Sequence, residues 1–341
     1  MMRFAVLIAG FAGVVGSAVA APPAQPRREV LEGFVEIDPH APALPPAEGG
    51  TRSRSVDERW ARAQMAMPSG ARAREAYERG LDLVAGGDDR GGIEAFTAAY
   101  DLDRSFAPAL RARAEARLRL GEWNPAIADL STLLRAAPND ADLLAMRGRA
   151  LLRAQDADAA CRDLTAAASI DGGDASLWAD LALASLLRDD RYGAVDAAGR
   201  ALQIDPGCAP ALRARGMALA ALGRHREALA DLSLALEHGG PDPAALAARA
   251  RAREATGDIR GAIEDATASL GADPSQTLVP MQRALNSIRI GEHDAARADC
   301  EAIAASASAS PQARAAAQRI LDRLSRTVAS VEEIERSGSA P

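Results

Sequence analysis

The groups best suited to catalysis are few and dispersed in this chain. Its four histidines, His40, His225, His238 and His293, are separated by tens of residues or fall at places that repeat along the sequence. Cys161, Cys208 and Cys300 are odd in number and lack the C-x-x-C spacing of a redox or zinc pair, so they read as small core fillers. There is no lysine: all 40 basic residues are arginine, which removes a phosphate-loop lysine, Schiff-base chemistry and a Ser/Lys dyad together. A net charge of −7 and a pI near 5.3 give no overall basic field for nucleic acid. Neither a nucleophile with its base, nor a ligand set for a metal or cofactor, emerges from the pattern, and the chain is read as no enzyme.

What does recur is an ionic pair. Arg113, Arg147, Arg215, Arg249 and Arg283 are each followed sixteen residues later by Asp129, Asp163, Asp231, Asp265 and Asp299. The five pairs stand in register with a longer period of 34 residues that runs without insertion or deletion from Ala73 to Ser310. Units counted from Ala73, Ala107, Ala141, Ala175, Ala209, Pro243 and Thr277 place the arginine at position 7 and the acid at position 23. The fourth unit lacks both, with Leu181 and Ala197, and the first has Arg79 without the acid. Joint presence and joint absence predict an ion pair, within one unit or onto the next, against the alternative of two independent solvated charges. Its expected role is register and specificity, because desolvation offsets much of the attraction.

The period dictates the elements that must hold these pairs. Position 8 is Gly80, Ala114, Gly148, Ala182, Gly216, Ala250 or Ala284, and position 20 is Gly92 or alanine in every other unit. Small or mostly apolar residues at positions 4, 8 and 11 and at 20, 24 and 27 give two stripes of i, i+4, i+7 spacing, hence two helices per unit with close backbones. Position 15 is Gly87, Gly121, Gly223, Gly257 or Gly291, suited to a turn with positive φ. Pro138, Pro206 and Pro274 at position 32 end second helices. Such a period describes a stacked array in which no unit folds alone.

With Trp178 at position 4, the small pair at 8 and 20, Trp123 or Tyr192 near the turn, Leu130, Leu164 or Leu232 at 24 and the prolines at 32, residues 73–310 resemble the tetratricopeptide repeat family. Arg104 and Gly172 stand where proline is usual, and the seventh unit turns polar and alanine-rich after Ala302. The resemblance implies an all-α solenoid of seven helix hairpins in a right-handed superhelix, with first helices lining a concave groove. It also implies that positions 2, 5, 9, 12 and 13 face that groove. Carried over residue by residue, these are Arg111, Glu115, Arg119, Arg149, Arg153, Arg213 and Met217, with Leu183, Leu186 and Leu187 in the fourth unit and Met281, Leu285 and Ile288 in the seventh. The family's lysine and asparagine carboxylate clamp is not matched, since lysine is absent and Asn124, Asn139 and Asn286 lie at other positions.

Outside the repeats, Arg3, the apolar stretch Phe4–Val15 and Ala18-Val19-Ala20 read as a secretory signal cleaved after Ala20, with an uncleaved membrane anchor as the alternative. Residues 21–54 read as a Pro/Ala-rich disordered tether, 55–72 as an N-terminal helix, 311–336 as a capping helix with Ala317, Ile320, Leu321 and Leu324 on one stripe, and 337–341 as a tail. The expected protein is a periplasmic, monomeric, non-catalytic scaffold without cofactor. Its groove arginines Arg111, Arg119, Arg149, Arg153 and Arg213, with Met217, are expected to bind a peptide or helix of an envelope partner, acidic segments included. The alternative is an accessory subunit of a cell-envelope enzyme or polysaccharide export system.

Overall fold

The protein is described by a computed structural model over residues 68–338, and the expected signal, the tether and most of the 55–72 helix lie outside these residues. Among the described residues there are fifteen helices and no strand. The first helices of the seven hairpins are α1 (Ser69–Ala85), α3 (Ala107–Arg119), α5 (Ala141–Arg153), α7 (Ala175–Leu187), α9 (Ala209–Ala221), α11 (Pro243–Thr256) and α13 (Val279–Arg289). Their second helices are α2 (Asp89–Leu102), α4 (Trp123–Ala136), α6 (Ala157–Ile170), α8 (Arg191–Ile204), α10 (His225–Gly239), α12 (Ile259–Ala272) and α14 (His293–Ala305). A last helix, α15 (Pro311–Gly338), packs on α14 through Ala317 and Leu324 and caps the stack. The first helix starts at Ser69, ahead of the Ala73 frame, so 69–72 belong to the first hairpin and not to a separate element.

Steric rules set the hairpin. At Gly148 and Gly216 an added Cβ would lie 2.7 Å from the Cγ of Leu164 and Leu232, so in these two hairpins glycine at position 8 lets the leucine at position 24 lie directly across it, while the second hairpin buries Leu130 with Ala114. The turn after every first helix uses one left-handed residue: Gly87, Gly121, Gly223, Gly257 and Gly291 have φ from 75° to 90°. In the two hairpins without that glycine, Gln155 and Asp189 take the same conformation at φ 64° and 61°. Turn geometry therefore follows from the stacking and not from the residue, which costs about 1–2 kcal/mol where a side chain must be accommodated.

Aspartates then cap the helices that follow. Asp88, Asp156, Asp190 and Asp258 accept from the backbone N–H three residues on at the start of second helices, and Asp140 and Asp242 do the same for first helices.

Between hairpins each second helix packs on the first helix of the next, and first helices also meet directly: α1 touches α3, α5 touches α7, and α7 and α11 both touch α9. Inner helices that pack this closely place the second helices on the outer, convex side. The apolar interior is continuous from Leu110 in α3 to Ala214 in α9, then divides into smaller clusters toward the C-terminus.

Candidate functional site

The five sixteen-residue pairs all form, each inside its own hairpin. The Nε of Arg147 donates to Asp163 Oδ2 at 2.6 Å and a terminal nitrogen to Oδ1 at 2.8 Å; Arg113–Asp129, Arg215–Asp231, Arg249–Asp265 and Arg283–Asp299 repeat this two-bond fork. The five carboxylates are buried. Hydrogen bonds to these aspartates raise the pKa of Arg147, Arg215, Arg249 and Arg283 above the ordinary arginine value against the opposing effect of burial. A third guanidinium nitrogen reaches back to a hydroxyl on the preceding hairpin: Arg113 to Thr97, Arg147 to Ser131, Arg249 to Ser233 and Arg283 to Thr267. One side chain thus joins two helices of its own hairpin to its neighbour. The hydroxyl, at position 25, was not anticipated in the sequence reading, although its spacing repeats as regularly as the acid's.

The groove arginines are engaged too, mostly by acids of a neighbouring unit that within-unit spacing does not reveal. Arg111 pairs with Glu115 at 3.2 Å and reaches Asp142 on the next first helix at 3.8 Å. Arg149 pairs with Asp180 on α7 at 2.6 Å and lies 3.5 Å from Asp174, the residue before α7. Arg213 binds Asp242, which also caps α11. Arg153 lies near enough to Asp180 for its charge to oppose the rise in pKa that burial gives that acid. These contacts tie successive first helices together along the inner layer. Arg119 differs, turning to Asp89 on α2 at 2.7 Å, at the turn edge of the stack. Met217 is half-buried against Leu219, Leu232 and their neighbours, and Leu186 packs on the main core.

Burial raises the Asp180 pKa, with the Arg149 bond opposing it, whereas bonds from Ser176 and the charge of Arg149 outweigh burial at Asp174 and lower it. The same guanidinium therefore faces two acids of opposite tendency.

Position 9 of successive first helices forms one row along the inner layer: Leu81, Glu115, Arg149, Leu183, Met217, Arg251 and Leu285. Arg251, absent from the sequence-derived set, has no ion pair or hydrogen bond among the described residues. The residue is exposed as a whole, yet the protein around it lowers its pKa by desolvation. Leu285 next to it in the row is 47% exposed. The signal that finds Arg251 is its register with Arg149 and Met217.

His225 and His293 begin second helices, His238 ends one, and the three cysteines are free and buried. Among the described residues no group of three His, Cys, Asp or Glu is placed to hold a metal, and no helix is long and apolar enough to cross a membrane.

No protein-family model and no curated protein sequence matches the chain. Solved structures do resemble it. A tetratricopeptide repeat protein from Parabacteroides merdae superposes with a TM-score of 0.57 at 14% identity, covering 75% of this chain and 99% of that one. PilF of Pseudomonas aeruginosa gives 0.52 at 16% identity, over 65% of this chain and 100% of that one. A chain of the APC/C hetero-tetramer Cut9-Hcn1 gives 0.53 at 17% identity, over 68% and 46%. Together with the seven hairpins, these likenesses show the fold: the protein is a tetratricopeptide repeat solenoid.

Proposed function

We propose that the protein is a non-catalytic binding scaffold whose concave face takes an extended or helical segment of a protein partner. The observation that carries this reading is the position 9 row, in which Arg251 offers an unpaired guanidinium between Met217 and the exposed Leu285. A planar fork suits a carboxylate, and methionine and leucine suit apolar side chains of varied shape. The ligand is therefore a segment with an acidic side chain or a terminal carboxylate flanked by apolar residues. Arg111, Arg149, Arg153 and Arg213 supply a second, weaker field, since a ligand carboxylate there must compete with protein acids. The signal-like first twenty residues support an envelope or periplasmic setting.

The test is selection of short peptides on the full chain, followed by calorimetry. Peptides enriched in Asp, Glu or a free C-terminal carboxylate next to Leu or Met are expected. Arg251→Ala should weaken them about tenfold, or 1.4 kcal/mol, and raised salt should weaken them further. Selection indifferent to Arg251→Ala and to salt would place binding on another surface.

A further inference from the structure

On the convex side, four of the six clefts between successive second helices are bridged by a position 7 arginine; at α8–α10, where Gly199 stands at position 25, Arg215 forks without the second bond. Each of the five arginines forks on the acid of its own hairpin, and four of the five reach the hydroxyl of the preceding one at 3.0 to 3.4 Å. The cleft between α6 and α8 has no such bridge. Its position 7 is Leu181, its position 23 is Ala197, and Thr165, which stands where Thr97, Ser131, Ser233 and Thr267 stand, makes no hydrogen bond to an arginine among the described residues. A cavity of about 400 Å³ remains there, lined by Leu181, Ala197 and Trp178 and, among its polar residues, by Thr165, Arg188 and Arg200 with the acids Asp190 and Asp196.

The two arginines are loosely held. Arg188 pairs with Asp158 at 2.6 Å and Arg200 with Asp196 at 3.3 Å, and all four side chains are at least 41% exposed. Exposed pairs of this kind contribute about 0–1 kcal/mol and exchange partners readily. Arg200 also lies 4.8 Å above the Trp178 ring, whose N–H is already donated to the Gly172 carbonyl, so what the indole offers is a face. The cavity therefore suits one bulky apolar side chain with acids on either side of it.

This chain carries such a segment before its first described residue: Val30-Leu31-Glu32-Gly33-Phe34-Val35-Glu36-Ile37-Asp38. Its reach matches. A random coil of roughly 30 residues, the number from Ile37 to Pro68, would span about 30 Å root-mean-square, and the same number fully extended about 100 Å. From α1 to α7 is three steps between stacked first helices, about 30 Å at 8–10 Å each. We propose that residues 30–38 dock in the α6–α8 cleft, with Phe34 against Leu181, Ala197 and Trp178 and Glu32 and Glu36 at Arg188 and Arg200, fastening the N-terminal tether to the convex side of the array.

Disulfide trapping in the full chain tests this. Val35→Cys is combined with Thr165→Cys, or with Thr97→Cys or Ser233→Cys at the same position of bridged clefts. Linkage to position 165 should be at least about tenfold faster than to the other two, reflecting a raised effective concentration. It should fall to their rate in Leu181→Arg/Ala197→Asp, which installs the missing bridge, and in Phe34→Ser, which leaves the repeats untouched and serves if the first variant does not fold. Equal rates at the three positions overturn the proposal, as does linkage that joins two molecules, since the occupant would then be another copy's segment.

Discussion

At the scale of single residues, the Arg–Asp fork is the feature that most distinguishes these repeats, and the fourth hairpin acts as its natural control. Removing one partner of a buried pair strands the other, at up to about 3–5 kcal/mol, while replacing both can be near neutral. Arg147 is 24% exposed and Asp163 11%, so losses toward the lower end are expected for Arg147→Leu or Asp163→Ala alone. The double variant, which copies Leu181 and Ala197, should recover part of them. A double-mutant cycle in urea should give coupling above about 1 kcal/mol, more than an exposed pair shows; additive effects would mean that the forks are ornament. Asp180 gives a prediction in pH. Its folded pKa is raised above the ordinary 3.8 by burial, so the folded state favours the neutral acid. Its stabilising contribution is present below the unfolded pKa and is lost as pH rises through the folded one. The melting temperature of Asp180→Asn minus that of the wild type should therefore increase from pH 3.8 upward and level off beyond the raised value. A difference that falls over this window contradicts the burial argument.

At the scale of the helix hairpin, the pairing of positions 8 and 24 sets how closely the two helices lie. Gly80, Gly148 and Gly216 sit under Phe96, Leu164 and Leu232, whereas Ala182, Ala250 and Ala284 sit with Ala198, Ala266 and Cys300; the second hairpin alone combines alanine, Ala114, with leucine, Leu130. Gly148→Ala should cost about 1–3 kcal/mol by overpacking, and Leu164→Ala about 2–5 kcal/mol by leaving a cavity. The double variant restores an alanine pair found elsewhere in the array and should cost clearly less than the sum, measured by thermal unfolding. Much of this was legible in the sequence because it repeats at fixed spacing within a unit: the hairpins, the left-handed turn residue and the five forks all follow from one frame. Contacts between units were less so. Asp142, Asp180 and Asp242 meet the groove arginines across a step between helices whose geometry no within-unit count supplies. The turns at Gln155 and Asp189 were hidden for a related reason, since stacking forces a conformation that the residue type does not announce. Arg251 shares the position 9 register of Arg149 and Met217, but what sets it apart, the lack of an acid within reach among the described residues, depends on neighbours across the stack.

At the scale of the whole molecule, a solenoid's stability is a sum of repeat and interface terms, so different regions can open at different free energies. The interior here is uneven. One cluster unites α3 to α9, while α13 to α15 hold a small separate one. In the same place α13 has 11 residues against 13 to 17 in the other first helices, and it buries Asn286 and Ser287 with the Asn286 amide nitrogen and Ser287 hydroxyl unbonded. Each such buried polar group costs about 1–3 kcal/mol. The C-terminal hairpin should therefore open first, and the three free cysteines report it without any mutation. Cys161 in α6, Cys208 before α9 and Cys300 in α14 are all buried, and burial raises the thiol pKa of Cys208 and Cys300, so a thiol reagent reaches them through opening of the fold. In urea below the main transition, peptide mass analysis after pulse labelling should find Cys300 modified first and Cys161 last. Cys300 gains no protection from the long core, whereas Cys161 lies inside it. Modification of all three at one rate would show that the array unfolds as a single unit and that the divided core does not weaken its end.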